Sequence, residues 1–284
     1  MRNVLLAILM VTLFISPASA EELAGTLQQI QKSGKIKIGY RTSSPPMSFI
    51  GKNNTPEGYS IDLCTHIVEG VEKKIGSEVK VEFVPVTADN RFEALSENKI
   101  DILCGATTNT LSRREVVDFT QITFITGGAY LTLKGKKIRN NFDGKKIGVV
   151  KGTTTVNELQ TLFKEAEVTA EIVLFTDTDE GFNALKNGTI DAFSADQVVL
   201  IGLVLSSADK SKFSLLPDLF SYEPFSLAVR RNDADFRLVA DRVLSGLARS
   251  KKILTIYDKW LSEFSPNRPP AFDTMVEFNS ISEK

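Results

Sequence analysis

Arg91-Phe92-Glu93-Ala94-Leu95-Ser96-Glu97-Asn98-Lys99-Ile100-Asp101 and, ninety residues later, Gly181-Phe182-Asn183-Ala184-Leu185-Lys186-Asn187-Gly188-Thr189-Ile190-Asp191 are two copies of one pattern. Phe, Ala, Leu, Ile and Asp recur at identical spacing. In each copy the apolar trio reads as one face of a helix and the Ile-Asp pair opens a strand. The segments before them align at the same offset, Val81-Glu82-Phe83-Val84-Pro85 against Glu171-Ile172-Val173-Leu174-Phe175. A strand–helix–strand unit is the core of a right-handed crossover in a parallel sheet. Two such units predict two similar α/β lobes with a crevice between them.

Working outward, the first lobe reads as strand 36–40, helix 61–75, strand 79–86, helix 91–97 and strand 100–105. The second repeats the order with strand 146–150, helix 156–164, strand 171–175, helix 180–186 and strand 190–194. Gly127-Gly128-Ala129-Tyr130-Leu131-Thr132-Leu133 reads as an extended crossing, its diglycine giving backbone freedom. Phe225-Ser226-Leu227-Ala228-Val229 reads as the return, and helices 236–249 and 253–264 complete the first lobe. The expected division is 21–128 with 228–284 for lobe one and 129–227 for lobe two. Two strands crossing between lobes form a hinge that closes around a ligand.

The N-terminus reads as an export signal. Arg2 is the sole charge among residues 1–20, Val4 to Ile15 is an apolar run, and Ala18-Ser19-Ala20 is a small-x-small cleavage pattern, so the mature chain is expected to begin at Glu21. A membrane anchor is the alternative, but the run is short for ~30 Å of hydrocarbon. The chain has 34 basic and 35 acidic residues. They are scattered, which argues against nucleic acid or an anionic membrane surface as a partner. Two cysteines in an exported chain are expected to pair. Cys64 lies early in the helix marked by Ile61, Val68, Val71 and Ile75, and Cys104 ends a strand, so both face the cleft side; two buried free thiols are the alternative.

Ligands of open parallel sheets bind beyond the carboxyl ends of strands. That rule selects Arg41 to Phe49, Gly105 to Arg113, Lys151 to Thr155, and Ser194-Ala195-Asp196. Arg113, expected in the first turn of a helix opening near Thr110, offers a guanidinium fork for a carboxylate; surface pairing with Asp118 or Glu115 is the alternative. Asp196 can accept from an ammonium group or cap the helix that follows. Thr107, Thr108, Thr153 and Thr154 offer hydroxyls or serve as loop caps. Phe49 and Tyr40 offer apolar walls or core packing.

The order of elements resembles the family-3 extracellular solute-binding proteins, the polar amino-acid receptors of ABC importers, over almost the whole mature chain. The pieces that carry the likeness are Glu57-Gly58-Tyr59-Ser60-Ile61-Asp62-Leu63, the Arg91–Leu95 helix, Gly105 to Arg113 followed by Asp118-Phe119-Thr120, Gly152-Thr153-Thr154, and Asp191-Ala192-Phe193 with Asp196. Cys104 to Asn109 together with Arg41 is most similar to the glutamate/aspartate-binding branch. The resemblance implies a bilobal type II periplasmic-binding-protein fold, α/β, with parallel-sheet-based lobes on a two-strand hinge. It implies a ligand set of Arg41, Ser48, Phe49, Gly105, Thr107, Thr108, Arg113, Thr153, Thr154 and Asp196. Arg113 would hold the ligand's α-carboxylate, Asp196 its ammonium, and Arg41 a side-chain carboxylate. The chain departs from the branch at Ala106, where relatives carry Ser, and near Thr178, where they carry His.

The function expected is a monomeric periplasmic receptor for an amino acid, glutamate or aspartate, serving a membrane permease, without cofactor or metal. A prephenate or arogenate dehydratase on the same fold is the alternative. His66, the one histidine, has no Cys/His partner set for a metal and reads as an ordinary helix residue. No nucleophile elbow or phosphate loop is present, and Asp62, Asp101, Asp191 and Asp196 form no evident acid/base pair by spacing.

Overall fold

The computed structural model describes residues 22–136, 138, 141–263 and 267–284. The export signal expected over residues 1–20, its cleavage point, and the Phe264 end of the last expected helix lie outside them. The first half of the chain runs α1 (Gly25–Ser33), β1 (Lys35–Tyr40), β2 (Ser43–Ser44), β3 (Ser48–Ile50), β4 (Pro56–Glu57), α2 (Tyr59–Ile75), β5 (Lys80–Pro85), α3 (Arg91–Ser96), β6 (Ile102–Cys104) and β7 (Val117–Thr126). The middle holds β8 (Gly128–Leu133), β9 (Lys146–Val150), α4 (Thr154–Glu165), β10 (Glu171–Phe175), α5 (Thr178–Lys186), β11 (Ala192–Asp196), α6 (Gln197–Ser206) and β12 (Phe213–Leu215). The chain then returns through β13 (Glu223–Arg230) to α7 (Ala234–Arg249), α8 (Lys252–Leu261) and α9 (Pro270–Phe278).

Two five-stranded sheets form the two lobes, in the orders β5-β1-β6-β13-β7 and β10-β9-β11-β8-β12. The expected parallel trio is the core of each: β1 pairs in parallel with β5 and β6, and β9 with β10 and β11. Antiparallel strands extend both trios, β13 and β7 on one side and β8 and β12 on the other. The sheets are therefore mixed.

The repeated sequence pattern has one physical purpose in both copies. A side chain at Gly39 of β1 would meet Ile100 Cδ1 at 2.4 Å, and one at Gly148 of β9 would meet Ile190 Cδ1 at the same 2.4 Å. Each isoleucine plugs a notch left by a glycine on the neighbouring strand. The aspartates then pin register: Asp101 Oδ2 accepts from Lys37 N at 2.8 Å and Asp191 Oδ2 accepts from Lys146 N at 3.0 Å. The backbones answer, Asp101 N to Lys37 O and Asp191 N to Lys146 O, each at 2.8 Å. The left-handed residue between each helix and its plug is Asn98 in one copy and Gly188 in the other, at φ 59° and 70°. The strands begin at residues 102 and 192, just after these side-to-side anchors rather than at them.

The lobes exchange chain at two places. β7 passes to β8 through Gly127, where a Cβ would lie 2.4 Å from the carbonyl of Ser221, so both crossings run side by side. β13 already belongs to the first sheet at Glu223, so the return passage is the stretch 216–222, ahead of the Phe225–Val229 segment expected to make it. The α2 face expected from periodicity is buried at Ile61, Cys64, Val68, Val71 and Ile75. Cys64 and Cys104 form a disulfide, both fully buried, tying the start of α2 to the end of β6.

Candidate functional site

The carboxyl ends of β1, β6, β9 and β11 meet in the crevice. A cavity there is lined by Arg41, Ser44 and Ala106 from the first lobe and by Thr153, Thr155, Thr178, Ser194 and Asp196 among others from the second. The cleft is closed. Gly152 O accepts from Arg91 Nη2 at 3.3 Å and from Arg113 Nη2 at 3.4 Å, and Lys151 Nζ meets Asp89 Oδ2 at 2.8 Å across the mouth. Backbone also touches backbone: a Cβ at Gly202 of α6 would stand 2.2 Å from the Pro45 carbonyl oxygen.

Arg41 follows β1 as expected and is buried. Its backbone N–H donates to Ser48 Oγ at 2.9 Å. A side chain at Gly105 would come within 3.1 Å of Arg41 Cγ, so that glycine leaves room for the arginine stem. Burial pulls the Arg41 pKa down to about 10, with Asp177 and then Asp196 opposing the shift. Arg113 stands in a three-residue 3₁₀ turn, not at the start of a longer helix. Its backbone N–H is taken by Thr110 Oγ1 at 3.2 Å, so the ligand-binding capacity there is the guanidinium itself. Arg113 Nη1 donates to Thr108 O at 2.8 Å, and burial lowers its pKa against the support of Glu223 and Asp196.

Asp196 closes β11, and its side chain makes no cap bond to α6. Its Oδ1 is buried with no protein partner. Burial raises its pKa to about 7, Glu223 adds to the rise, and Arg113 and Arg91 oppose it. An unpaired carboxylate oxygen in a closed cleft is costly unless a cation reaches it. Thr107 Oγ1 is also buried without a partner, 3.9 Å from a Cβ placed on Gly105. Thr153 lines the cavity and donates to Val150 O at 2.7 Å.

Three of the expected residues sit apart. Ser48 is fully buried under the Arg41 backbone and does not line the cavity. Phe49 packs edge-on against Trp260 of α8, with ring centroids 5.8 Å apart, and Tyr40 packs against Phe83 in the same manner at 6.0 Å. Both aromatic rings stabilise the first lobe from outside the cavity. His66 pairs with Glu69 at 3.1 Å on the surface of α2.

Two contributors, Arg91 and Glu223, escape a reading of motifs, and Thr178 enters it only as the place where relatives carry His. Arg91 belongs to the repeated helix, yet it is 2% exposed, stacks over Phe92 at 4.9 Å, and keeps an unpartnered buried Nε. Arg113 lies over the same ring at 5.3 Å, so Phe92 is a platform for both guanidiniums. Burial holds the Arg91 pKa well below its ordinary value, and Arg113 and Arg41 reinforce that. Glu223 is buried where the return strand begins and accepts hydroxyl groups from Thr108 and Thr154. Thr178, at the start of α5, is buried against the cavity. Among the described residues no group of three or more His, Cys, Asp or Glu side chains is placed to hold a metal.

Sequence comparison agrees with this geometry. The family of bacterial extracellular solute-binding proteins, family 3, matches residues 36–263. The chain is similar to the L-glutamate/L-aspartate-binding protein of Pseudomonas aeruginosa, 32% identical over 258 residues that cover 89% of this chain and 85% of the relative. It is 30% identical over 267 residues to the glutamate/aspartate import solute-binding protein of Escherichia coli, covering 92% and 88%. Among solved structures, an ancestral arginine-binding protein bound to arginine aligns with a TM-score of 0.72 at 29% identity, covering 80% of this chain and 98% of that one.

Proposed function

The chain belongs to the bacterial extracellular solute-binding proteins of family 3, and we propose from that premise that it is a periplasmic receptor for glutamate or aspartate. On this reading the two lobes close over the amino acid, and the closed form is handed to the membrane permease of an ABC importer. The observation that carries the substrate class is the charge balance of the cleft. Three buried or half-buried guanidiniums, Arg41, Arg91 and Arg113, face two carboxylates, Asp196 and Glu223. Asp177, which caps α5, offsets Arg41 from nearer the solvent. Glu223 already accepts three hydroxyl groups and Asp177 is engaged as the α5 cap, so three guanidiniums against the one free carboxylate oxygen of Asp196 suit a ligand with two carboxylates and one ammonium.

The roles follow from position. Asp196, with its free Oδ1, takes the ammonium. Arg113 and Arg91, held over Phe92 beside the Gly152 carbonyl, take the α-carboxylate. Arg41, whose guanidinium has no hydrogen-bond partner among the described residues, takes the distal carboxylate. A neutral amide gives the Arg41 guanidinium no carboxylate to bind, and a lysine or arginine ligand adds repulsion. The fold shared with an arginine-binding protein therefore does not carry its ligand across. The relatives described above are binding proteins, which supports a receptor over the dehydratase alternative.

Calorimetric titration with glutamate, aspartate, glutamine, asparagine, lysine and arginine tests the proposal. The order expected is acidic ligands first, amides next and basic ligands last. Tighter binding of glutamine or of either basic amino acid than of both acidic ones would overturn it. Export, cleavage after Ala20 and a monomeric state belong to the same proposal and are read by mass spectrometry and gel filtration of the periplasmic protein.

A further inference from the structure

Glu223 is the buried acidic side chain in the cleft for which the roles above give no use. It is 2% exposed and opens β13, next to the place where both crossings run together. Its Oε2 accepts two hydroxyl groups, Thr108 Oγ1 at 2.5 Å and Thr154 Oγ1 at 2.8 Å. Thr108 follows β6 on the first lobe, and Thr154 opens α4 on the second; their hydroxyl oxygens stand 3.5 Å apart. The other oxygen, Oε1, accepts from Ser221 Oγ at 2.7 Å, and Ser221 Oγ accepts from Gly128 N at 3.0 Å. One carboxylate thus collects a hydroxyl from each rim on one oxygen and is fixed to both crossings through the other.

A buried carboxylate is stable only when donors replace its water. Here two of the three donors come from opposite walls of the cleft, so the full set exists only when the walls are together. Opening removes at least one threonine, and water takes its place. Hydrogen bonds to an ionised acceptor are the strong kind. Glu223 also lies where it supports the charge of Arg113, whose guanidinium donates to the carbonyl of Thr108 itself.

We infer that Glu223 is a positioning residue for ligand capture, a clasp on the return strand that draws one hydroxyl from each rim onto a single oxygen and so sets the closed cleft. It rests on the receptor reading given above, and it adds a contribution to closure made by protein groups alone.

The test measures closure directly. Spin labels at the exposed positions 99 and 164, one on each lobe, give the distance distribution without ligand at pH 5.5 and with saturating L-glutamate at pH 7.5. Stopped-flow mixing gives glutamate dissociation rates. Thr108→Val and Thr154→Val should each shrink the closed population under both conditions and speed dissociation about tenfold. The double variant should be no more than about threefold worse than the weaker single one, because either substitution alone breaks the clasp. Glu223→Ala should match the double variant. Glu223→Gln, whose amide oxygen still accepts both threonines while its N–H donates to Ser221 but which carries no charge, should fall between wild type and Glu223→Ala.

Additive effects of the two threonine substitutions would overturn the clasp, as would a wild-type closed population in Glu223→Ala. If Glu223→Ala does not fold, the threonine pair decides alone. If wild-type protein binds no glutamate, the substrate reading fails. The ligand-free distances then decide the clasp independently.

Discussion

Asp196 should hold the empty cleft open, and the size of that effect follows from its surroundings. In an open cleft its carboxylate is hydrated and titrates in the usual range near 3.8; in the closed arrangement, with no cation beside Oδ1, it is pushed up to about 7. At about 1.4 kcal/mol per pH unit, that difference makes closing around the bare carboxylate cost about 4 kcal/mol. The cost is fully present above about pH 7 and shrinks as pH falls through the closed-state value. It vanishes below about pH 4, where the group is protonated in both forms. Lowering the pH from 8 to 5 should therefore raise the ratio of closed to open empty protein by about 100-fold. Asp196→Asn should remove the pH dependence and close the empty protein at neutral pH, while weakening amino-acid binding. Small-angle scattering of ligand-free protein between pH 8 and 5 reads both, with glutamate-saturated protein as the closed reference. A radius of gyration that stays at its open value across this range, with Asp196→Asn equally open, would refute the reasoning.

The other expectations use the same contacts. Arg113→Ala should cost ~3–5 kcal/mol of glutamate binding by leaving a buried carboxylate unpaired, and Arg113→Lys should recover little because a point charge does not replace the fork; a calorimetric loss under ~1 kcal/mol would remove Arg113 from the site. Gly202→Ala places a methyl where the Pro45 carbonyl lies 2.2 Å away, so the lobes should stop short and glutamate affinity fall at least tenfold. The same change adds up to ~1 kcal/mol of helix propensity in α6, so thermal melting of the empty protein should hold or rise while binding falls. Replacing both Cys64 and Cys104 by serine opens a loop with a sequence separation of 40 and should lower unfolding free energy by about 4 kcal/mol in a urea titration under oxidising conditions.

What the sequence made legible was whatever repeats locally. The Phe-Ala-Leu…Ile-Asp pattern marks its own strands and helices because period and spacing are short-range properties. Strands Lys146–Val150 and Glu171–Phe175 fall where their apolar runs place them. Arg41, Arg113 and Asp196 were visible because each sits at the end of a readable strand or in a recognisable motif. The contributors that were missed depend on distant partners. Phe49 reads equally as a ligand wall or as core packing because nothing near it announces Trp260, its partner in α8. Glu223 stands between a tyrosine and a proline with no motif around it, and its meaning comes from Thr108 and Thr154, brought to it by two different sheets. Arg91 reads as a helix-surface residue until the second lobe covers it. The ten-residue strand β7 buries its residues in pairs from Phe119 onward rather than alternately, and its place beside β13 is decided by residues a hundred positions away.

The strand order also sets a timetable. β13 is an inner strand of the first sheet, between β6 and β7, although nearly all of the second lobe is made before it. A chain emerging N-terminus first therefore exposes the edge of β6 until residue 230 has appeared, whereas the second sheet has all five of its strands once residue 215 is out. The lobe encoded second is the first able to finish. The lobe encoded first must wait with an open seam, its α2–β6 disulfide the one covalent bond available to hold its early elements together meanwhile.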